Sequence, residues 1–137
     1  MTVTNLMDAV GDYLVAQGKG VYLVNGVGTL VLGSMPESPD SLAAVYEGLG
    51  QPPQFTMGSG GIAVDNGMIQ ITVRGAPDIY TTPRDRALGI RTTLASVVGE
   101  TVDGFKIMRM EPLGRINPLG VDKKGRWLFS MNFRCLM

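Results

Sequence analysis

The segment Arg126 to Leu136 constrains the fold more than any other part of the chain. Trp127, Phe129, Met131, Phe133 and Cys135 fall on one side of it. Arg126, Ser130, Asn132 and Arg134 fall on the other, together with Leu128 and Leu136. Successive side chains of a strand point to opposite faces, so this pattern predicts one long strand with an apolar face. Met68 to Arg74 repeats the pattern. Ile69, Ile71 and Val73 point one way, and Met68, Gln70, Thr72 and Arg74 point the other. Asp65-Asn66-Gly67 supplies an expected turn before it.

The remaining elements are read around these two strands. Residues 4–17 predict a helix, with Leu6, Val10, Tyr13, Leu14 and Gln17 on one face. Thr4 is the expected cap, Asp8 and Asp12 leave an acidic outer side, and Gly18 and Gly20 end the helix. The apolar runs Val21–Val24 and Thr29–Leu32 flank Asn25-Gly26, which predicts a hairpin. Met35–Asp40 holds Pro36 and Pro39 and reads as a loop, and Leu42–Glu47 reads as a strand. Residues 48–61 carry five glycines and two prolines and are expected to form no regular structure. That loop also holds Phe55 and Met57, apolar side chains that a solvated linker does not need, so both are interface candidates.

A second helix is expected from Pro83 to Val98, capped by Thr82, with Pro83 at its first position and Gly99 as its stop. Ala87, Ile90, Leu94, Val97 and Val98 form its inner stripe, while Arg84, Arg86 and Arg91 form a basic outer surface. Phe105–Glu111 reads as a strand and residues 112–125 as a loop. The order is helix, three strands, long loop, strand, helix, two strands. It predicts an α+β fold, one domain over 1–137, with a mostly antiparallel sheet flanked by two main helices.

Several chemistries are disfavoured. The chain has no histidine, the commonest general base and metal ligand, and one cysteine. A disulfide framework is therefore excluded, a structural zinc site nearly so, and a reducing cytoplasm suits the composition. Cys135 alternates with Phe133 and Met131 and is expected to be a buried structural thiol. The nine methionines read first as core filling. Gly26-Val27-Gly28 precedes a strand instead of a helix, so it reads as a turn rather than a dinucleotide site. The acid pairs Glu37/Asp40 and Asp65/Asp78 lie in turn-like stretches, where carboxylates are ordinarily solvated. No catalytic residue, cofactor or metal is expected. No apolar stretch is long enough for a membrane span, and no secretory leader is expected.

The net charge is zero but unevenly placed. Residues 1–73 carry six acids and one base, net −5, while residues 74–137 carry six acids and eleven bases, net +5. Either the halves interleave and the asymmetry disappears, or one face is acidic and another basic. Overall neutrality argues against tight nucleic-acid binding.

Four stretches in order carry a family resemblance. They are Gly28-Thr29-Leu30-Val31-Leu32-Gly33-Ser34-Met35-Pro36 with Ser38-Pro39-Asp40 after the first helix; Tyr46-Glu47-Gly48-Leu49-Gly50 with Pro52-Pro53; Ile69 to Gly75 before a helix; and Pro118 to Arg126 leading into Ser130-Met131-Asn132-Phe133. In these the chain resembles the tail terminator proteins of long-tailed phages, some of which are labelled minor capsid proteins. It departs from the usual pattern at Tyr46-Glu47, where relatives often have Tyr-Asp and a further glycine. The resemblance implies a virion protein, made in the host cytoplasm, that assembles into a ring, expected to be a hexamer. The ring would sit on the last ring of the tail tube protein, stop its polymerisation and present the docking surface for the head-completion or connector protein. Genomic DNA would pass through the lumen without specific binding. The family has no catalytic residues.

A closed ring needs two different faces of one subunit to meet. Arg74, Arg84, Arg86 and Arg91 are expected at or near a subunit or tube interface. The 48–61 loop is expected to be mobile in a free subunit and ordered in the particle. Another neck or tail-completion protein is the nearest alternative. From other classes, a small α+β ligand-binding or enzymatic domain would show a deep pocket with converging polar groups, and a nucleic-acid binder would be retained on DNA at physiological salt.

Overall fold

The long alternating segment becomes the centre of the sheet. The structure, a computed structural model, describes residues 6–48, 54–55, 62–64 and 66–136. Strand β9 (Arg126–Leu136) pairs antiparallel with β5 (Asn66–Pro77) along one edge. Its other edge is shared by β7 (Phe105–Pro112) and β8 (Asn117–Val121). Beyond β5 lie β2 (Leu42–Gly48) and then β1 (Leu30–Leu32), and beyond β7 lies β6 (Val98–Val102). The result is a seven-stranded sheet in the order β1-β2-β5-β9-β7-β6, with β8 beside β9. All pairings in it are antiparallel except β1 with β2. The fold is α+β, as the alternation and helical periodicity predict.

Register turns the alternation into a core. Val45, Ile71 and Met131 lie side by side across three strands, and Ala43, Val73 and Phe129 form the next row. Helices α1 (Leu6–Ala16) and α2 (Thr81–Ala95) both pack on this face. They contribute Leu6, Val10 and Leu14, and Ala87, Ile90 and Leu94, to one buried cluster. Burying aliphatic and aromatic side chains at about 1.5–3 kcal/mol each is the main force holding helices to sheet.

Several expectations are corrected. The Asn25-Gly26 turn is present, with φ of 53° and 78° and paired hydrogen bonds between Val24 and Val27 of 2.9 and 3.0 Å. The hairpin it was expected to join does not extend. A Cβ on Gly28 would lie 2.5 Å from the Tyr22 carbonyl oxygen, and its φ of 147° suits glycine. The chain passes that close, meets Tyr22 only as a parallel bridge at Leu30, and enters β1 parallel to β2. Asn66 and Gly67, expected in a turn, are paired within β5 opposite Leu136 and Cys135. Within the expected 48–61 loop, β3 (Gln54–Phe55) pairs with β4 (Ile62–Val64), because Gln54 and Phe55 fall between Pro53 and Gly58 and are free of both residue types that break a ladder. The remainder of 49–61, with Met57 and its expected mobility, lies outside the described residues.

Helix α2 starts earlier and ends sooner than predicted. Thr82 lies inside it, Tyr80 stands at its cap without a side-chain cap hydrogen bond, and Pro83 remains in the first turn, where a missing N–H costs nothing. The close approach of α2 to β5 needs Gly75, whose added Cβ would lie 2.5 Å from Pro83 Cγ. The helix stops at Ala95, where the Ser96 N–H turns to the Thr92 and Thr93 carbonyls. Gly99 is therefore not the stop; it lies in β6, and Val98 is 74% exposed instead of buried. Likewise β8 forms inside the expected 112–125 loop, with a register shift between Pro118 and Gly120.

Candidate assembly surfaces

The face of the sheet away from the helices is not an open polar face. Leu42, Arg74 and Leu128 form one cross-strand row on it, and Ala44, Thr72 and Ser130 the next. Residues 36–40 lie against this face, held by two arginines. Arg74 is 5% exposed. It donates to the carbonyls of Pro36 at 2.6 Å, Pro39 at 2.8 Å and Asp40 at 2.9 Å. Arg126 is 1% exposed. It donates to Asp122 at 2.8 Å, the Glu37 carbonyl at 2.6 Å, Asp40 at 3.1 Å and the Glu37 carboxylate at 3.2 Å. A buried guanidinium is tolerated only when its donors find such acceptors. Burial and the neighbouring Arg126 lower the pKa of Arg74. Burial alone would raise Asp122, but hydrogen bonds from Arg126 and from the Lys124 N–H hold it below its usual range.

The outer side of α2 is built differently. A groove of about 340 Å³ runs between α2 and the approach to β8. Tyr80, Leu88, Ile116 and Phe129 line it, and Arg84, Arg91 and Arg115 stand around it. Tyr80 is wedged edge-on against Trp127 and Phe129, with ring centroids 4.9 and 5.3 Å away. Arg84, partly exposed, lies over the Tyr80 ring at 5.7 Å and pairs with the exposed Asp85 at 3.2 Å. Arg91 donates to the Gly114 carbonyl at 3.2 Å. Among the described residues no acid pairs with Arg91 or Arg115.

A third region is acidic. The Tyr22 hydroxyl donates to Asp12 of α1 at 2.6 Å. Asp103, at the tip of the β6–β7 hairpin, is held above the usual carboxyl range first by its hydrogen bond to Asp12, then by burial and the charges of Asp12 and Asp8. No lysine or arginine pairs with Asp12 or Asp103 among the described residues. The turn after Tyr22 projects Val24 and Val27, 63% and 75% exposed.

The residues singled out from the sequence therefore separate. Arg84 and Arg91 stand at the groove. Arg74 is inside the protein with its guanidinium bound to one loop. Arg86 is half-buried and donates to the Thr29 carbonyl at 2.8 Å, which ties α2 to the start of β1; burial lowers its pKa. Phe55 lies in β3, and its side chain is outside the described residues, as is Met57. Arg115, Tyr80 and Leu88 were not singled out; the i, i+4 row of Tyr80, Arg84 and Leu88 could have marked Tyr80 and Leu88, whereas no local pattern marks Arg115. Glu37 and Asp40 face Arg126 rather than each other as an acid–base pair. Asp78 is exposed in a turn at φ 61°, and Asp65 lies outside the described residues. Burial pushes the Cys135 thiol up to about 12, so it is neutral near pH 7. Among the described residues, no three His, Cys, Asp or Glu could hold a metal ion, and no helix is long and apolar enough to cross a membrane.

Comparison with known proteins adds the context for these surfaces. The family model described as Bacteriophage tail terminator protein matches residues 13–137. Among solved structures, a chain from the virion of a native gene transfer agent (GTA) particle is similar with a TM-score of 0.61. It is 17% identical, and the match covers 96% of this chain and 92% of that one. At this identity the likeness shows a shared fold. No curated protein matches the chain.

Proposed function

This chain belongs to the bacteriophage tail terminator family, and from that membership we propose that it caps the tail tube as a ring, expected to be a hexamer. In this reading the ring ends tube polymerisation at the head-tail junction and presents the docking surface for the connector. The whole chain acts as one domain whose partners are copies of itself, the tube protein and the connector, with DNA passing through the lumen without specific binding. The observation that carries the reading is the family match across residues 13–137.

The chemistry of the surfaces supports a role without catalysis. The chain has no histidine. The carboxylates Glu37, Asp40 and Asp122 are engaged by Arg126, and the one thiol is buried and protonated. What remains outward is shape and charge, the means by which subunits recognise each other. A heterologous contact between two different faces closes into a ring when the rotation between subunits allows it.

The test is a phage lacking this protein, with tails imaged by electron microscopy. Tubes of uncontrolled length, detached from heads, are expected. Tails of normal length joined to heads would overturn the reading. Normal-length tubes without heads would assign the chain to another neck position.

A further inference from the structure

We propose that the arginine-rimmed groove beside α2 receives the acidic flank of a second copy of this chain, formed by Asp12, Glu100 and Asp103 with the Val24–Val27 turn. The inference rests on the ring reading and names the contact that closes the ring.

Charge carries the argument. Arg91 and Arg115 have no acid partner among the described residues, and Arg84 has only Asp85 beside it in the chain. On the flank, Asp12 and Asp103 stand together with no lysine or arginine paired to them among the described residues, and Glu100 is exposed on the strand that leads to Asp103. Each surface therefore lacks what the other offers. An arriving guanidinium would relieve the crowding of Asp103 by Asp12 and Asp8, and exposed carboxylates would neutralise the groove rim. The apolar parts match as well. The groove is floored by Tyr80, Leu88 and Phe129, and the flank carries exposed Val24 and Val27.

Topology permits both contacts at once. The groove is made by α2, β9 and the approach to β8. The flank is made by α1, the turn after Tyr22 and the β6–β7 hairpin. They share no residue and no helix or strand, so each copy can give its flank to one neighbour and its groove to another. That is the condition for head-to-tail growth. A second copy is preferred over nucleic acid as the occupant because the lining is largely apolar and the complementary acids are on the same chain.

Charge reversal with rescue tests this. One full-length variant carries Arg84→Glu and Arg115→Glu, leaving Arg91 on its Gly114 carbonyl. The other carries Glu100→Lys and Asp103→Lys, leaving Asp12 for Tyr22. Circular dichroism and urea unfolding confirm that each is folded before use. Copies bound to isolated tail tubes are then counted by mass measurement. Each variant alone is expected to assemble roughly tenfold less well, or worse, because like charges now meet. An equimolar mixture is expected to restore assembly with both variants in equal number, since the reversed groove now fits the reversed flank. A variant that assembles alone as the parent does overturns the inference. So does loss in the groove variant without rescue, which assigns the groove to the tube protein or to nucleic acid. If the parent itself does not bind tubes, the functional reading falls with it; if the parent binds and reversal has no effect, only the inference falls.

Discussion

Arg74 and Arg126 on one side of the sheet, and Arg84 and Arg115 on the other side of the molecule, carry the same guanidinium to opposite ends. The first two are pinned by carbonyls and carboxylates of residues 36–40 and 122, and water barely reaches them. The second two stand around an aromatic groove, Arg84 partly and Arg115 largely in water, with Asp85 their one acid partner among the described residues. The difference teaches that an arginine is available to a partner only where its own fold supplies no acceptors. Overall charge cannot say which is which. The −5 and +5 halves meet at Arg126, where Glu37 and Asp40 from the first half bind a cation from the second. Part of the asymmetry is thus cancelled by folding, and the acidic flank mixes the halves, taking Asp12 from the first and Glu100 and Asp103 from the second.

The sharpest way to break the contrast is Arg126→Met. Removing this cation leaves Arg74 as the one arginine on the covering loop and Asp122 with backbone N–H donors alone. A loss of about 3 kcal/mol is expected, at the low end for breaking a buried pair because Glu37 and Asp40 stay partly in water. It would be read as a lower urea midpoint with an unchanged slope. A loss under about 1 kcal/mol would remove Arg126 from the set of structural arginines. A smaller effect is expected from acid. Asp122 has a depressed folded pKa, so its contribution is present above its unfolded value near about 4 and is lost as pH falls through the folded value. The urea midpoint should fall below about pH 4, and Asp122→Asn should flatten that fall. An equally steep fall in the variant would dissociate the acid sensitivity from this carboxylate. The smallest effect is expected from Arg115→Ala, within about 0.5 kcal/mol of the parent in the same assay, as for an exposed side chain with no acid partner among the described residues. A large loss there would show that the groove rim also holds the fold.

Much of the frame was legible residue by residue. The alternation of Phe129, Met131 and Phe133 with Ser130 and Asn132 predicts β9 over its observed span. Ile69, Ile71 and Val73 predict the centre of β5, and Leu6, Val10 and Leu14 predict the inner stripe of α1. By contrast β6, Val-Gly-Glu-Thr-Val, lies at the sheet edge with no buried face to impose a period. Strand β8 contains Pro118 and Gly120, which read as loop until β9 pairs with them. The parallel course of β1 depends on how closely Gly28 lets the chain cross Tyr22. At the candidate site, Arg84 and Arg91 were legible from the outer side of α2, whereas Arg115 becomes part of the groove only when its loop folds beside that helix.

By itself the sequence determined the central strands β5 and β9, the two helices and most of their inner stripes, because alternation and helical periodicity belong to residues close together in the chain. Which of the predicted arginines keep exposed donors was decided by tertiary structure, which buries Arg74 and leaves Arg84 partly in water. Asp122 apart, which is four positions away, the acceptors that hold Arg74 and Arg126 lie 34 to 89 positions away in the chain. A guanidinium's availability depends on acceptors brought from such distances, and no local pattern records them.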